Sequence, residues 1–314
     1  MVFSKIKSTS STYWKLNTRI LKDEDFLENF AALWDVLKLK QEDFSDIAEW
    51  WNVAAKPNIK EFCATFSTQR NIRRRDTKAF WLAYLKIALL DKNWTEVVRV
   101  KGVLVEIMQE DAYGYVVRSR YQNNAAEEIA SIFHANKEIK NASKNNIQSL
   151  KIGNVVSEDK VAVEEEVIKF FHALFNGHHN TDLKDTGEPF KAVNSHLDSF
   201  LQDLSALPDN ERDNLVQDMK SEELEEIVKN CNRNKSPGLD GLSYEFYQGT
   251  FSIIKDDLLK IFQCQLNRGT IIESNKDGVT RLVPKVKGVP SVDELRPITL
   301  LDCDYKILSK WFRE

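Results

Sequence analysis

The chain has 314 residues, 42% hydrophobic and 29% charged, with a mean hydropathy of -0.43. An apolar fraction in the ordinary globular range excludes wholesale disorder, and no apolar run reaches the ~18 residues a membrane-spanning helix needs. Lys+Arg 44 against Asp+Glu 48 leaves a net charge of -4, so the chain as a whole is not a polybasic binder.

At ~100–200 residues per domain this length allows two domains or one large one. The four cysteines, Cys63, Cys231, Cys264 and Cys303, share neither metal-finger nor redox spacing and read as reduced intracellular thiols. Residues 1–14 are polar and Ser/Thr-rich, unlike a secretory signal. The expected location is therefore inside the cell, in nucleus or cytoplasm, without a membrane.

In chain order, residues 1–22 read as irregular, anchored by Trp14 and Leu16. Phe26, Phe30, Leu33 and Leu37 then recur at helical spacing over 23–40, with Asp23, Glu24 and Asp25 at the positive end of the helix dipole. A second helical run, 43–54, carries Ile47, Trp50 and Trp51, with one Trp expected in the core and the other at the surface. Pro57 is expected to break or restart the chain. Residues 58–138 contain no proline and two glycines, and predict one or two long helices with a break near Asp91–Trp94. Such a length suggests an antiparallel pair that projects from, or braces, a globular body.

Around 148–156, Gly153-Asn154 between short apolar runs predicts a two-residue hairpin. Val161 to Phe175 reads as an amphipathic helix closed by Gly177, and 177–192 as a linker. His178-His179 falls in that linker with no Cys, Asp or Glu at ligand spacing. A short helix begins at Ser221 and buries Leu224, Ile227, Val228 and Cys231. Another covers about 252–266, with Asp256-Asp257 on its solvated side. Strands are expected at Val279–Pro284 and Leu295–Leu300, and a last helix over 305–313 capped by Asp302 or Asp304. The fold class expected is mainly α with small antiparallel β-hairpins.

Charge is uneven along this order. Residues 51–101 hold eleven Lys/Arg against four Asp/Glu, and 181–230 hold five against thirteen. The basic section contains Arg70, Arg73, Arg74, Arg75 and Lys78 beside Phe80, Trp81 and Tyr84. That pattern suits either a helix face tracking a nucleic-acid backbone or an ordinary solvated face over an apolar stripe.

Three short segments in the last 80 residues carry the chemistry. Lys235-Ser236-Pro237-Gly238-Leu239-Asp240-Gly241 forces a tight turn between helices, with Asp240 able to fix it through its own side chain. It is either an interhelical connector or a backbone built for close approach to a nucleic-acid strand. Leu282-Val283-Pro284-Lys285 places a proline in an apolar run, as an edge strand allows, with Lys285 and Lys287 on one side. Leu295-Arg296-Pro297-Ile298-Thr299-Leu300 returns beside it. A hairpin setting Lys285 next to Arg296 would be a solvated charge pair or a clamp for a triphosphate, a point charge beside a planar fork.

These segments in this order, followed by Asp304-Tyr305-Lys306-Ile307-Leu308-Ser309-Lys310, resemble the start of a reverse transcriptase of the LINE-type (non-LTR) retrotransposon family. That family favours Lys-Ser-Pro-Gly-Pro-Asp-Gly, Leu-Ile-Pro-Lys and Arg-Pro-Ile-Ser. Here Leu239, Val283 and Thr299 stand at the departing positions, and Leu295 replaces the common Trp. Upstream, Ser11-Thr12-Tyr13-Trp14-Lys15-Leu16-Asn17 with Leu21 resembles the segment following the endonuclease domain.

The resemblance implies a helical connector at 1–178, an acidic linker with short helices at 179–220, and the N-terminal extension and fingers of a truncated polymerase at 221–314. It implies nucleotide-phosphate contacts from Lys285 and Arg296, and template contacts from Lys235, Ser236, Pro237, Gly238, Asp240 and Gly241. The implied partners are an RNA template, DNA, and a deoxynucleotide in the complete enzyme. Catalytic palm carboxylates and the magnesium they hold belong to the complete family enzyme; no catalytic or metal residue and no cofactor is expected within these 314 residues. By itself the chain is expected not to polymerise. The alternative is a helical interaction or RNA-binding protein derived from a retroelement, with no enzymatic role.

Overall fold

The computed structural model describes residues 14–119, 147–176, 218–286 and 288–312. The chain divides into two compact units, Met1–Pro57 with Ser149–Glu314, and Asn58–Gln148. The fold is mainly α with two small antiparallel hairpins. Residues 11–13, His178, His179, Lys287 and nearly all of the acidic linker proposed at 179–220 lie outside the described residues.

The first unit opens with Leu16 and Ile20 buried, and α1 follows over Glu24–Leu39. Its Phe26, Phe30 and Leu37 are buried in one stripe as the spacing predicts, but the place expected for Leu33 is taken by Trp34, and Leu33 is only half-buried. A short helix α2, Ile47–Trp50, is capped by the Asp46 carboxylate, which accepts from the N–H groups of Ala48 and Glu49. The chain then winds through a π-helical segment, Trp51–Ala55, in which the Lys56 N–H donates to the Trp51 carbonyl five residues back.

Helix α3 starts at Lys56 and runs to Leu90. Pro57 directly follows the widened turn with the chain helical on both sides of it, so against expectation it neither breaks nor restarts the chain. Trp50 and Trp51 are both fully buried, against the expectation of one inside and one outside. A regular helix sets neighbours ~100° apart; here the core reaches around both.

Helix α4, Trp94–Ser119, returns after a break at 91–93, where Lys92 takes a positive φ of 55°. Within the second unit, Arg99 lies over the Trp81 ring at 5.3 Å and Arg74 Nη2 donates to the Ile107 carbonyl at 3.1 Å. Contacts of 81 with 99 and 74 with 107 make α3 and α4 an antiparallel pair.

The first hairpin pairs β1, Leu150–Ile152, with β2, Val155–Ser157. Gly153 alone takes a positive φ, 62°, which suits a turn whose first central residue is glycine. Helix α5, Lys160–Asn176, packs on β1. The Lys151 N–H donates to the Pro290 carbonyl at 2.9 Å, so this hairpin lies against the loop that joins the later strands.

Helix α6, Ser221–Lys229, buries Leu224, Ile227 and Val228. Helix α7, Tyr244–Arg268, is the long central element, and Gly269 ends it at φ 65°. A short α8, Glu273–Lys276, leads into β3, Val279–Pro284, which pairs with β4, Leu295–Leu300. Helix α9, Cys303–Trp311, follows at once.

The core of this unit is an aromatic block. Trp34 meets Trp50 and Trp51 edge-on at 5.3 and 6.2 Å, and Phe30 meets Phe246 at 5.6 Å. A buried indole N–H needs an acceptor, and each finds one. Trp50 donates to the Leu37 carbonyl at 3.1 Å, Trp34 to Asp257 at 3.0 Å, and Trp51 to Asp304 at 2.9 Å. Asp257 is thus buried under α1, not solvated as its helix position suggests. The partner that pulls it inside lies 223 residues earlier in the chain.

Candidate functional site: a buried lysine node beneath a cationic hairpin

The Lys235–Gly241 turn is held by its own residues first. The Leu242 N–H donates to Asp240 Oδ1 at 2.9 Å, and Gly241 takes φ 74°. A Cβ at Gly241 would strike Trp14, and two residues on the Leu16 N–H donates to the Gly241 carbonyl at 3.0 Å. A Cβ at Gly238 would collide with the side chain and backbone of Asp302. Both glycines are therefore required by close approach of another backbone.

The turn splits its candidate residues into two sets. Lys235 and Ser236 are exposed, while Pro237, Gly238 and Gly241 are buried and the Asp240 side chain points inward. Lys306 on α9 closes the outer side, donating to the Ser236 carbonyl at 3.3 Å and lying over the Tyr244 ring at 5.3 Å.

Beneath the turn lies a cluster that sequence reading missed. Lys56, 4% exposed, places its ammonium 2.8 Å from Asp302, 3.0 Å from Asp304 and 3.4 Å from Asp240. It also donates to Ser274 Oγ at 3.2 Å and Asn275 Oδ1 at 3.4 Å. Asp302 further accepts from the Asp240 N–H at 3.3 Å, and Asp304 from the Trp51 indole. Asp302 stands at the N-cap position of α9, yet makes no side-chain cap bond to it. Its carboxylate is spent on Lys56 and the turn.

Burial drives the Asp240 carboxyl up to about 7 despite the opposing pull of Lys56, with the charges of Asp304 and Asp302 adding to the rise. For Lys56, desolvation is the largest single influence and opposes protonation, but the three carboxylates together outweigh it and hold the ammonium charged well beyond its ordinary range. The fully buried Tyr247 hydroxyl is pushed far up by burial and by the Asp304 and Asp240 charges.

The carboxylate oxygens of Asp240, Asp302 and Asp304 lie within 4.8 Å of one another, close enough for a metal ion. The Lys56 ammonium fills that space. With the ammonium there, the three carboxylates do not fit a divalent cation.

The hairpin presents the other charges. Arg296 is paired with Val283 in the β3–β4 register, which puts Lys285 diagonally across from it on the same face. Both are exposed. The Lys285 N–H donates to the Glu294 carbonyl at 2.8 Å, continuing the ladder, and its ammonium donates to the Asp293 carbonyl at 2.8 Å. Arg281 shares this face, and Thr280 and Thr299 pair their hydroxyls at 3.1 Å on the other.

In the second unit Arg73 and Arg75 are exposed, whereas Arg70, Arg74 and Lys78 are half-buried. Arg74 is turned onto α4 through the Ile107 carbonyl. Arg75 lies 3.7 Å from the Asp76 carboxylate.

A scan against protein-family models matches none. Among curated proteins the chain is 26% identical over 308 residues to a transposon TX1 uncharacterized 149 kDa protein of Xenopus laevis. The match covers 96% of this chain and 23% of that protein. The chain is thus similar, along nearly all its length, to under a quarter of a transposon protein, which supports a transposon origin. No helix among the described residues is long and apolar enough to cross a membrane.

Proposed function

We propose that the chain is the connector and finger part of a LINE-type, non-LTR retrotransposon RNA-directed DNA polymerase, with template-contacting and nucleotide-phosphate-contacting residues but not the catalytic carboxylates. The observation that carries this reading is the β3–β4 register, in which Lys285 and Arg296 share one exposed face. The motif order around them and the similarity to a transposon protein support it.

On this reading a triphosphate draws the Lys285 ammonium from the Asp293 carbonyl. It gains charge-assisted bonds about twice as strong as neutral ones, and the Arg296 fork adds a planar bidentate contact. Lys235 and Ser236 face the RNA template, while the rest of the turn holds its shape. Arg73 and Arg75 add sequence-independent attraction to phosphates.

A fluorescent deoxynucleotide titrated into the 314-residue chain tests this. Binding should be lost on Lys285→Ala with Arg296→Ala while the melting temperature holds. Unchanged affinity in that double variant overturns the clamp, and template-directed extension by the 314-residue chain overturns the absence of catalysis.

A competing reading, helical partner binding without nucleic acid, is favoured by Trp94, Val98, Val105 and Met108. These lie at steps of four, seven and three residues on α4, which is helical spacing for one face, and all are exposed. Charge reversal at Arg73 and Arg75 separates the two, since it weakens RNA binding only on the polymerase reading.

A further inference from the structure

Three segments far apart in sequence meet at one ammonium. Asp240 belongs to the turn, Asp302 lies two residues beyond the end of β4, and Asp304 opens α9. Lys56 comes from the start of α3, 184 positions before Asp240 and 246 before Asp302. An ammonium has three protons to donate. Lys56 gives its three to Asp302, Ser274 and Asn275, and holds Asp304 at 3.0 Å and Asp240 at 3.4 Å by charge.

The carboxylates cannot hold this arrangement themselves. Like charges packed within a few ångströms and out of water repel, and a buried charge whose partner is removed is strongly unfavourable. The backbone contact they frame is also close: Gly238 leaves no room for a Cβ above Asp302, and the Asp240 N–H bonds the Asp302 carboxylate. With the lysine absent, the turn and the end of β4 would be driven apart at that point.

From this we propose that Lys56 is the positioning residue that fixes the Ser236–Gly241 turn against the β4–α9 junction, and so sets the template-facing turn at a defined distance from the hairpin carrying Lys285 and Arg296. The proposal rests on the polymerase reading for its consequence in RNA binding, and on the geometry alone for the positioning itself. Lys56 touches neither ligand. It acts through Asp240 on one side and Asp302 on the other, so the two recognition elements are coupled by a residue of the connector.

The test uses the 314-residue chain, a labelled single-stranded RNA, and amide hydrogen exchange read at Asp240 and Leu242. Lys56→Met is one variant. Lys56→Met with Asp304→Asn is the second, removing one charge of each sign to spare the fold at a residue that bonds neither amide. At an unchanged melting temperature the double variant should lose protection at both amides and bind RNA roughly tenfold more weakly. Wild-type-like protection and affinity in a folded double variant would overturn the proposal.

If neither variant folds, the unmodified chain decides. Both amides must then exchange only through global unfolding, and exchange at the rate of free peptide overturns the positioning role. If the unmodified chain does not bind RNA at all, the polymerase reading fails. The comparison of amide protection between unmodified chain and double variant still supports or overturns the role of Lys56.

Discussion

Arg296 and Asp302 stand six positions apart, on either side of the end of one strand. Arg296 is exposed on the hairpin face, whereas Asp302 is 1% exposed and locked to a lysine from the other end of the chain. The same contrast separates Lys285 from Lys56. Charges on the hairpin are held loosely, by a carbonyl that a ligand can replace; charges in the node are held by one another, with water excluded. A charged residue near a motif therefore has two very different uses, and burial separates them. Exposed ion pairs contribute little to stability and remain open to partners, while buried ones fix geometry and are costly to break.

The sharpest break of this contrast is Lys56→Met. Leaving three buried carboxylates without their cation should cost ~3–5 kcal/mol, read by urea denaturation. Trp51→Phe comes next. It removes the indole donor to Asp304 within the same node and should cost ~1–3 kcal/mol.

Acidity then sharpens the contrast through Asp240. Its carboxyl ionises near 7 in the folded chain, against 3.8 as the ordinary value. Between these, the folded state holds a proton that the unfolded chain has released. Stability should thus fall as pH rises from about 4 to about 7 and flatten above, on account of this group. Asp240→Asn retains the acceptor for the Leu242 N–H and should remove that slope in melting temperature measured against pH. Lys56, raised instead, contributes stability present below its ordinary range that is lost only in strong alkali.

The smallest effects belong to the hairpin. Lys285→Ala and Arg296→Ala should each change stability by no more than ~0.5 kcal/mol, because both side chains are exposed. Their effect should appear in nucleotide affinity alone. A loss of stability there as large as at Lys56 would erase the distinction between the two sets of charges.

Local patterns were legible in the sequence wherever the cause was local. The two strands of the cationic hairpin fall at the residues their apolar runs and prolines indicate, and the helical break comes at 91–93. Gly153-Asn154 marks its turn because only a residue without Cβ takes that φ cheaply. Asp240 was readable as a turn-fixing side chain because its carboxylate bonds the N–H only two residues on.

The node was not legible. Lys56 precedes a proline in a basic stretch and looks like an ordinary surface lysine; nothing within a dozen residues reveals acceptors more than 180 positions away. Asp302 looked like a helix cap, and only its long-range partners turn it from that task. Asp257 and the Trp50–Trp51 pair were misread for one reason. Helical periodicity assigns one inner face, whereas a helix enclosed by α1 and α7 and widened by a π turn has more than one. Pro57, six residues beyond Trp51, was the available hint that the helix there is irregular.

The π-helical segment, Trp51–Ala55, carries a consequence for how the gene can change. It holds one residue more than a regular turn requires, so deleting any single codon within it would restore an ordinary helix without breaking the chain. The wider turn already absorbs that extra residue, so the residues on its two sides would keep nearly the same facing. Trp50 and Lys56 could then stay in the core, provided the residue lost is an exposed one such as Val53 and not the buried Trp51 or Ala55. In a regular helix the same in-frame loss of three nucleotides would turn one side against the other by ~100°.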